Sequence, residues 1–172
     1  DYLEDLEVKG YSGHSIRGRR THLRYFVVWC DERGLLWPAE ITPAVLQRYQ
    51  RWLYRYRTST DKRLSFRTQN DRLGSVKRFF RWLVKQQVLE WSPADALELP
   101  RIERRLPKAV LSVEEAERVL AQPDVRTRIG IRDRAILETL YSTGIRRQEL
   151  VDLEVYSVDL EGGTLMVRQG KG

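Results

Sequence analysis

Arg146 and Lys171 are the two side chains of this 172-residue sequence whose setting best suits them to chemistry. The run Tyr141-Ser142-Thr143-Gly144-Ile145-Arg146-Arg147-Gln148-Glu149-Leu150 reads as a helix stopped by Gly144. Arg146 is presented just past the stop, and Glu149 follows one helical turn later. At the end of the sequence, Gly170-Lys171-Gly172 places a lysine on a glycine-rich hairpin. An arginine and a lysine on rigid elements are what a site needs to handle a phosphodiester without a metal. The arginine offers a planar fork to the non-bridging oxygens, and the lysine offers a proton or a point charge.

Other chemistries have little to work with. His14 and His22 are the only histidines and Cys30 the only cysteine. A disulfide, a CxxC knuckle and a His-based catalytic metal site are therefore not expected, and no cofactor is called for. A lone cysteine fits a reducing cytoplasm, the expected location. The longest apolar or aromatic run, Tyr25 to Cys30, is far too short to span a membrane. The net charge of +7 points to a polyanionic partner. Between Arg55 and Lys85 stand ten Lys or Arg against two Asp, and the rest of the chain is close to neutral.

The elements that must position these groups can be read from the pattern. Ser12 or Ser15 caps a helix to about Glu32, with Ile16, Leu23, Val27 and Cys30 on one face. Thr42-Pro43 starts a second, carrying Val45, Leu46, Tyr49, Trp52, Leu53 and Tyr56 at helical spacing. Ser65 or Thr68 opens a third, with Leu73, Val76, Phe80, Leu83 and Val84 as its apolar stripe. Its opposite stripe is Arg67, Asn70, Asp71, Lys77, Arg78, Arg81 and Lys85. Ser92-Pro93 begins a short fourth helix ending near Leu97. The expectation is a mainly α protein whose first domain, residues 1–99, is a four-helix bundle. A basic, proline-bracketed linker covers 100–110. A second domain, 111–172, opens on the capping box Ser112-x-x-Glu115. It continues with a helix from about Thr127 to Ser142, apolar at Ile131, Ala135, Ile136, Leu137 and Leu140. A third helix spans roughly Arg147 to Leu153. The period then shifts to two, so Val158, Leu160, Leu165 and Val167 flank the turn Glu161-Gly162-Gly163 as a β-hairpin, the start of an α+β domain. A sequence that stops on such a hairpin reads as a fragment.

Four-helix bundle, basic linker, S-x-x-E, the helix ending L-Y-S-T-G-I-R-R-Q-E-L, the hairpin and G-K-G together resemble the tyrosine recombinases, in their Xer-type and phage-integrase branch. The resemblance covers essentially the whole chain. It implies a SAM-like core-binding bundle followed by the first part of a catalytic domain. It maps the family's A-T-G-L-R-x-S-E-L onto Ser142 to Leu150, making Arg146 the first catalytic arginine, Glu149 its supporting acid and Lys171 the hairpin lysine. The family cleaves and rejoins DNA through a 3′-phosphotyrosine, with neither metal nor ATP. Its remaining catalytic groups, including the nucleophilic tyrosine, lie further C-terminal. This chain alone is therefore expected to be inactive.

The resemblance also implies a clamp on double-stranded DNA, worked with other recombinase protomers in a tetrameric synapse. The N-terminal ends of the first and third bundle helices would enter the major groove. Arg17, Arg20 and Arg67 are the expected contacts, Asn70 and Asp71 would reach base edges, and Lys77, Arg104 and Arg105 would hold phosphates. Two other readings remain: a helix-turn-helix regulator built on Ile136 to Leu153, and a catalytically inactive DNA-binding module.

Overall fold

Side-chain caps start nearly every helix. In the computed structural model, which describes residues 1–102 and 110–167, Asp1 accepts from Leu3 N and opens α1 (Tyr2–Val8). The sequence reading missed this helix, because seven residues are too few for a clear period. Ser12 then caps α2 (Gly13–Asp31), Thr42 caps α3 (Pro43–Arg55) and Ser65 caps α4 (Phe66–Lys85). Each hydroxyl accepts from the backbone N–H three residues on, at 3.1 to 3.3 Å.

These helices enclose one aromatic-rich core. Phe26, Trp29 and Cys30 of α2 meet Val45, Leu46, Tyr49 and Leu53 of α3, and Leu73, Val76, Phe80 and Leu83 of α4. Val27, expected on the buried face, is 51% exposed. The helix turns its larger rings, Phe26 and Trp29, inward instead, and these remove more apolar area from water. Tyr2 and Leu6 hold α1 down in a second cluster with Ile16, against Phe79 and Trp82. The contacts of α2 and α4 run antiparallel: His22 lies by Ser75, and Tyr25 by Arg72.

The helix expected after Ser92 does not form. Residues 93–96 make turns, with Asp95 N bonded to Ser92 O and Leu97 N to Ala94 O. Bonds from α4 set the path of this segment instead: Lys77 Nζ donates to the carbonyls of Asp95 and Leu97, each at 3.0 Å, and Asn70 Nδ2 donates to that of Pro100. Ala94 and Leu97 still join the core, so the segment buries what the expected helix would have buried.

The chain divides into two compact units, Asp1–Arg104 and Arg105–Gly172. In the second, Ser112 and Glu115 form the capping box of α5 (Val113–Leu120). Thr127 caps α6 (Arg128–Thr143), whose Gly130 crosses the preceding turn so closely that a Cβ would stand 1.9 Å from Asp124 O. Then come α7 (Arg147–Val151), a 3-10 turn at Val155–Ser157, and the strands β1 (Val158–Asp159) and β2 (Thr164–Leu165). The strands are antiparallel, with Val158 opposite Leu165 and Asp159 opposite Thr164. The hairpin is shorter than expected, because Asp159 Oδ1 accepts from both Glu161 N and Gly162 N. That side-chain turn pulls Leu160 out of the strand and into the loop. Ala116 and Leu120 are buried, whereas Ile131, Ala135 and Ile136, expected in the core, are exposed. Leu137 and Leu140 of the same helix are half-buried.

Candidate catalytic and nucleic-acid sites

Gly144 is where the geometry of the first site begins. Its φ of +64° is a left-handed conformation that stops α6 and redirects the chain. Two residues later Arg146 is extended (φ −73°, ψ 148°) and serves as the cap of α7. Glu149 reaches back to it with both oxygens. Oε2 accepts from the Arg146 backbone N–H at 2.7 Å, and Oε1 from Arg146 Nη1 at 2.6 Å. The Arg146 N–H, and next its guanidinium, hold the Glu149 carboxyl below its ordinary range. The pair is asymmetric in exposure: the side chain of Arg146 is 62% exposed and that of Glu149 only 12%. One edge of the guanidinium is thus anchored and the rest is presented outward. Glu149 also borders a small recess with Asp152, Leu153, Ser157 and Met166. Lys171, like Arg104 and Arg105, lies outside the described residues.

The helix-turn-helix alternative meets a physical obstacle. The second helix, α7, has five residues, too few to lie along a major groove and present several side chains to base edges. A hairpin rather than another helix follows it.

In the first unit the expected basic stripe of α4 is divided. Arg67 and Asp71 are exposed. Asn70 Nδ2 donates to Pro100 O at 3.0 Å, Lys77 Nζ donates to the two carbonyls named above, and Arg81 Nε donates to Asp95 Oδ1 at 3.1 Å. Three of the stripe's seven residues therefore fasten residues 95–100 onto α4. Arg17 and Arg20 are exposed near the start of α2. Because α2 and α4 pack antiparallel, Arg17 and Arg67 stand at opposite ends of the pair.

The structure adds residues that sequence reasoning passed over. His22 Nδ1 lies 3.0 Å from Ser75 Oγ, and Ser75 Oγ donates to Asp71 O at 2.8 Å. The serine proton is committed, so His22 must donate from Nδ1 and keep Nε2 as an acceptor. Burial above all holds its pKa below the ordinary value; Asp71 opposes the shift, and Arg72 and Arg78 add to it. Arg72 is 7% exposed and sits 3.7 Å from the centre of the Tyr25 ring. A signal for it existed: Arg72 lies three positions after Gln69 and four before Val76, in the buried row of α4. A basic recess of the first unit, where Arg33, Arg48, Arg51 and Arg55 surround Trp29 and Trp52, has no acid in its lining. The spacing of Arg48, Arg51 and Arg55 on α3 was its legible sign. Among the described residues no cluster of His, Cys, Asp or Glu could hold a metal ion, and no helix is long and apolar enough to cross a membrane.

Residues 1–87 match the model "Phage integrase, N-terminal SAM-like domain", and residues 109–172 match "Phage integrase family". Tyrosine recombinase XerC 2 of Ralstonia nicotianae is 46% identical over 99% of this chain and 49% of its own length. Tyrosine recombinase XerC of Myxococcus xanthus is 40% identical over 99% of this chain and 53% of its own. The chain spans about half the length of the curated relatives it matches. Among solved structures, the integrase from mycobacterium phage Brujita aligns with 99% of this chain and 53% of its own, at 22% identity and a TM-score of 0.48.

Proposed function

Because the chain belongs to the phage integrase family, we propose that it is the DNA-gripping half of a site-specific recombinase and supplies part of its catalytic site. In this reading the substrate is duplex DNA. Arg146 neutralises charge building on the scissile phosphate, and Lys171 protonates the departing 5′ oxygen. Glu149 is a positioning residue that aims the guanidinium. The attacking tyrosine comes from sequence beyond this chain and is left joined to the 3′ phosphate, and the second strand's 5′ hydroxyl later displaces it. The observation that carries the proposal is the two-point hold of Glu149 on Arg146, which leaves most of the guanidinium facing outward. A group fixed before the substrate arrives costs no reorganisation when charge develops.

On the binding side, Arg17, Arg20 and Arg67 meet the duplex directly, with Asp71 at base edges and Arg104 and Arg105 on phosphates. Asn70 and Lys77 serve that surface indirectly, by holding residues 95–100 against α4. The working assembly is a tetramer of protomers on two DNA sites, in the cytoplasm.

A nicked suicide substrate tests the chemistry. The full-length protein should form a covalent protein–DNA adduct without added metal, and Arg146→Ala or Lys171→Ala should slow it about a hundredfold or more. The 172-residue chain should form none, since its eight tyrosines all lie at or before Tyr156. An adduct from the short chain would refute this division of labour, and metal-dependent cleavage by the parent would refute the mechanism.

A further inference from the structure

Arg72 is the physical anomaly of the first unit. It projects from the buried row of α4, with Gln69 and Val76 as neighbours on that row. Its guanidinium carbon lies 3.7 Å from the Tyr25 ring centre and 5.9 Å from that of Tyr56. Two of its three guanidinium nitrogens, Nε and Nη1, are buried and have no hydrogen-bond partner. Asp71, adjacent in sequence and exposed, makes no ion pair with it among the described residues. A guanidinium removed from water without an anion is costly, and the tyrosine faces return only part of that cost. The nearby groups on α4 and α2 are themselves basic or already bonded: Arg78 lies over Gly74 one turn on, and His22 of α2 is engaged with Ser75.

We propose that Arg72 is a phosphate anchor, a guanidinium already desolvated between Tyr25 and Tyr56 that is completed by one phosphodiester of bound duplex DNA. The proposal deepens the DNA-binding reading and rests on it. The fork geometry of arginine suits two oxygens of one phosphate, and the half-exposed Tyr25 ring stacked on the guanidinium must shift for the buried Nε or Nη1 to meet it. Tyr25 is itself half exposed, so the anchor lies just beneath the surface between α2 and α4. Along the helix pair that the proposed function assigns to the duplex it lies between Arg17 and Arg67, nearer Arg67.

The test pairs folding with binding, using the 172-residue chain and a labelled mixed-sequence duplex of about three helical turns. Wild-type affinity is read by fluorescence anisotropy across salt concentrations, and each variant is also melted thermally. Arg72→Met keeps the length and apolar stem but removes the charge. It is expected to melt at or above the wild-type temperature, to bind about tenfold more weakly, and to lower the slope of log affinity on log salt by about one. Arg72→Lys keeps a charge without the fork, so its slope should stay near wild type while its affinity falls. An Arg72→Met variant that melts lower and keeps the wild-type slope would make Arg72 a structural staple and overturn the proposal. If that variant does not fold, a wild-type affinity for Arg72→Lys overturns it just as well. Wild-type chain that ignores the duplex at low salt would instead remove the DNA-binding reading on which the proposal stands.

Discussion

A carboxylate that takes both the backbone and the side chain of one arginine leaves that arginine few orientations. Glu149→Gln should keep the shape but weaken the grip on Arg146. In the full-length protein we expect adduct formation to slow by about tenfold or more, the cost of a misplaced contact, while DNA affinity stays level. Because the Glu149 carboxyl is held low, the pairing is complete above the usual glutamate range and is lost only as pH falls through its depressed pKa. The Arg146 guanidinium resonance in NMR should accordingly stay constant until pH drops below that range. His22 follows the same sign for a different reason. Its pKa is lowered from 6.5 by burial, so the stability that comes with the neutral ring is whole above that pH and lost as pH falls through the lower, folded value. Melting temperature should fall across that window in the wild type, and His22→Gln should flatten the fall. An equal fall in the variant would place the titration elsewhere.

At the scale of the element, α4 divides its labour by face. Lys77→Met should cost about 1–2 kcal/mol of stability, because two carbonyls lose a charged donor, and should leave the salt dependence of DNA binding unchanged. Arg67→Ala should do the reverse, sparing the melt and weakening the duplex complex. Thermal melts and binding isotherms on the same preparations separate the two. In the second unit, Gly130→Ala would drive a methyl into Asp124 O and should cost about 1–3 kcal/mol, seen as faster amide exchange across the first turns of α6. An unchanged exchange profile would mean that the turn before α6 yields freely.

For the whole molecule, charge distribution makes the strongest claim. The basic excess concentrated between Arg55 and Lys85 should make duplex binding fall about a thousandfold or more between about 50 and 200 mM salt, if roughly six phosphates are contacted. A flat titration over that range would argue against a clamp. It would favour a surface on which the arginines are merely solvated.

The sequence alone settled what depends on short-range chemistry. The start signals at Thr42-Pro43 and Ser112-x-x-Glu115, the left-handed stop at Gly144 and the run around Arg146 are local, because each bond joins groups a few residues apart; the choice of Ser12 over Ser15 and of Ser65 over Thr68 came from the structure. The family was legible for the same reason. Tertiary packing decided the rest. Whether Val27 or Phe26 turns inward, whether Ser92-Pro93 becomes a helix, and which cations of α4 are spent on the chain's own carbonyls all depend on partners many positions away. Arg72 shows the limit most plainly. Its spacing from Val76 hinted at burial, but only the fold brings two tyrosines from different segments to its guanidinium and leaves Nε and Nη1 without a partner.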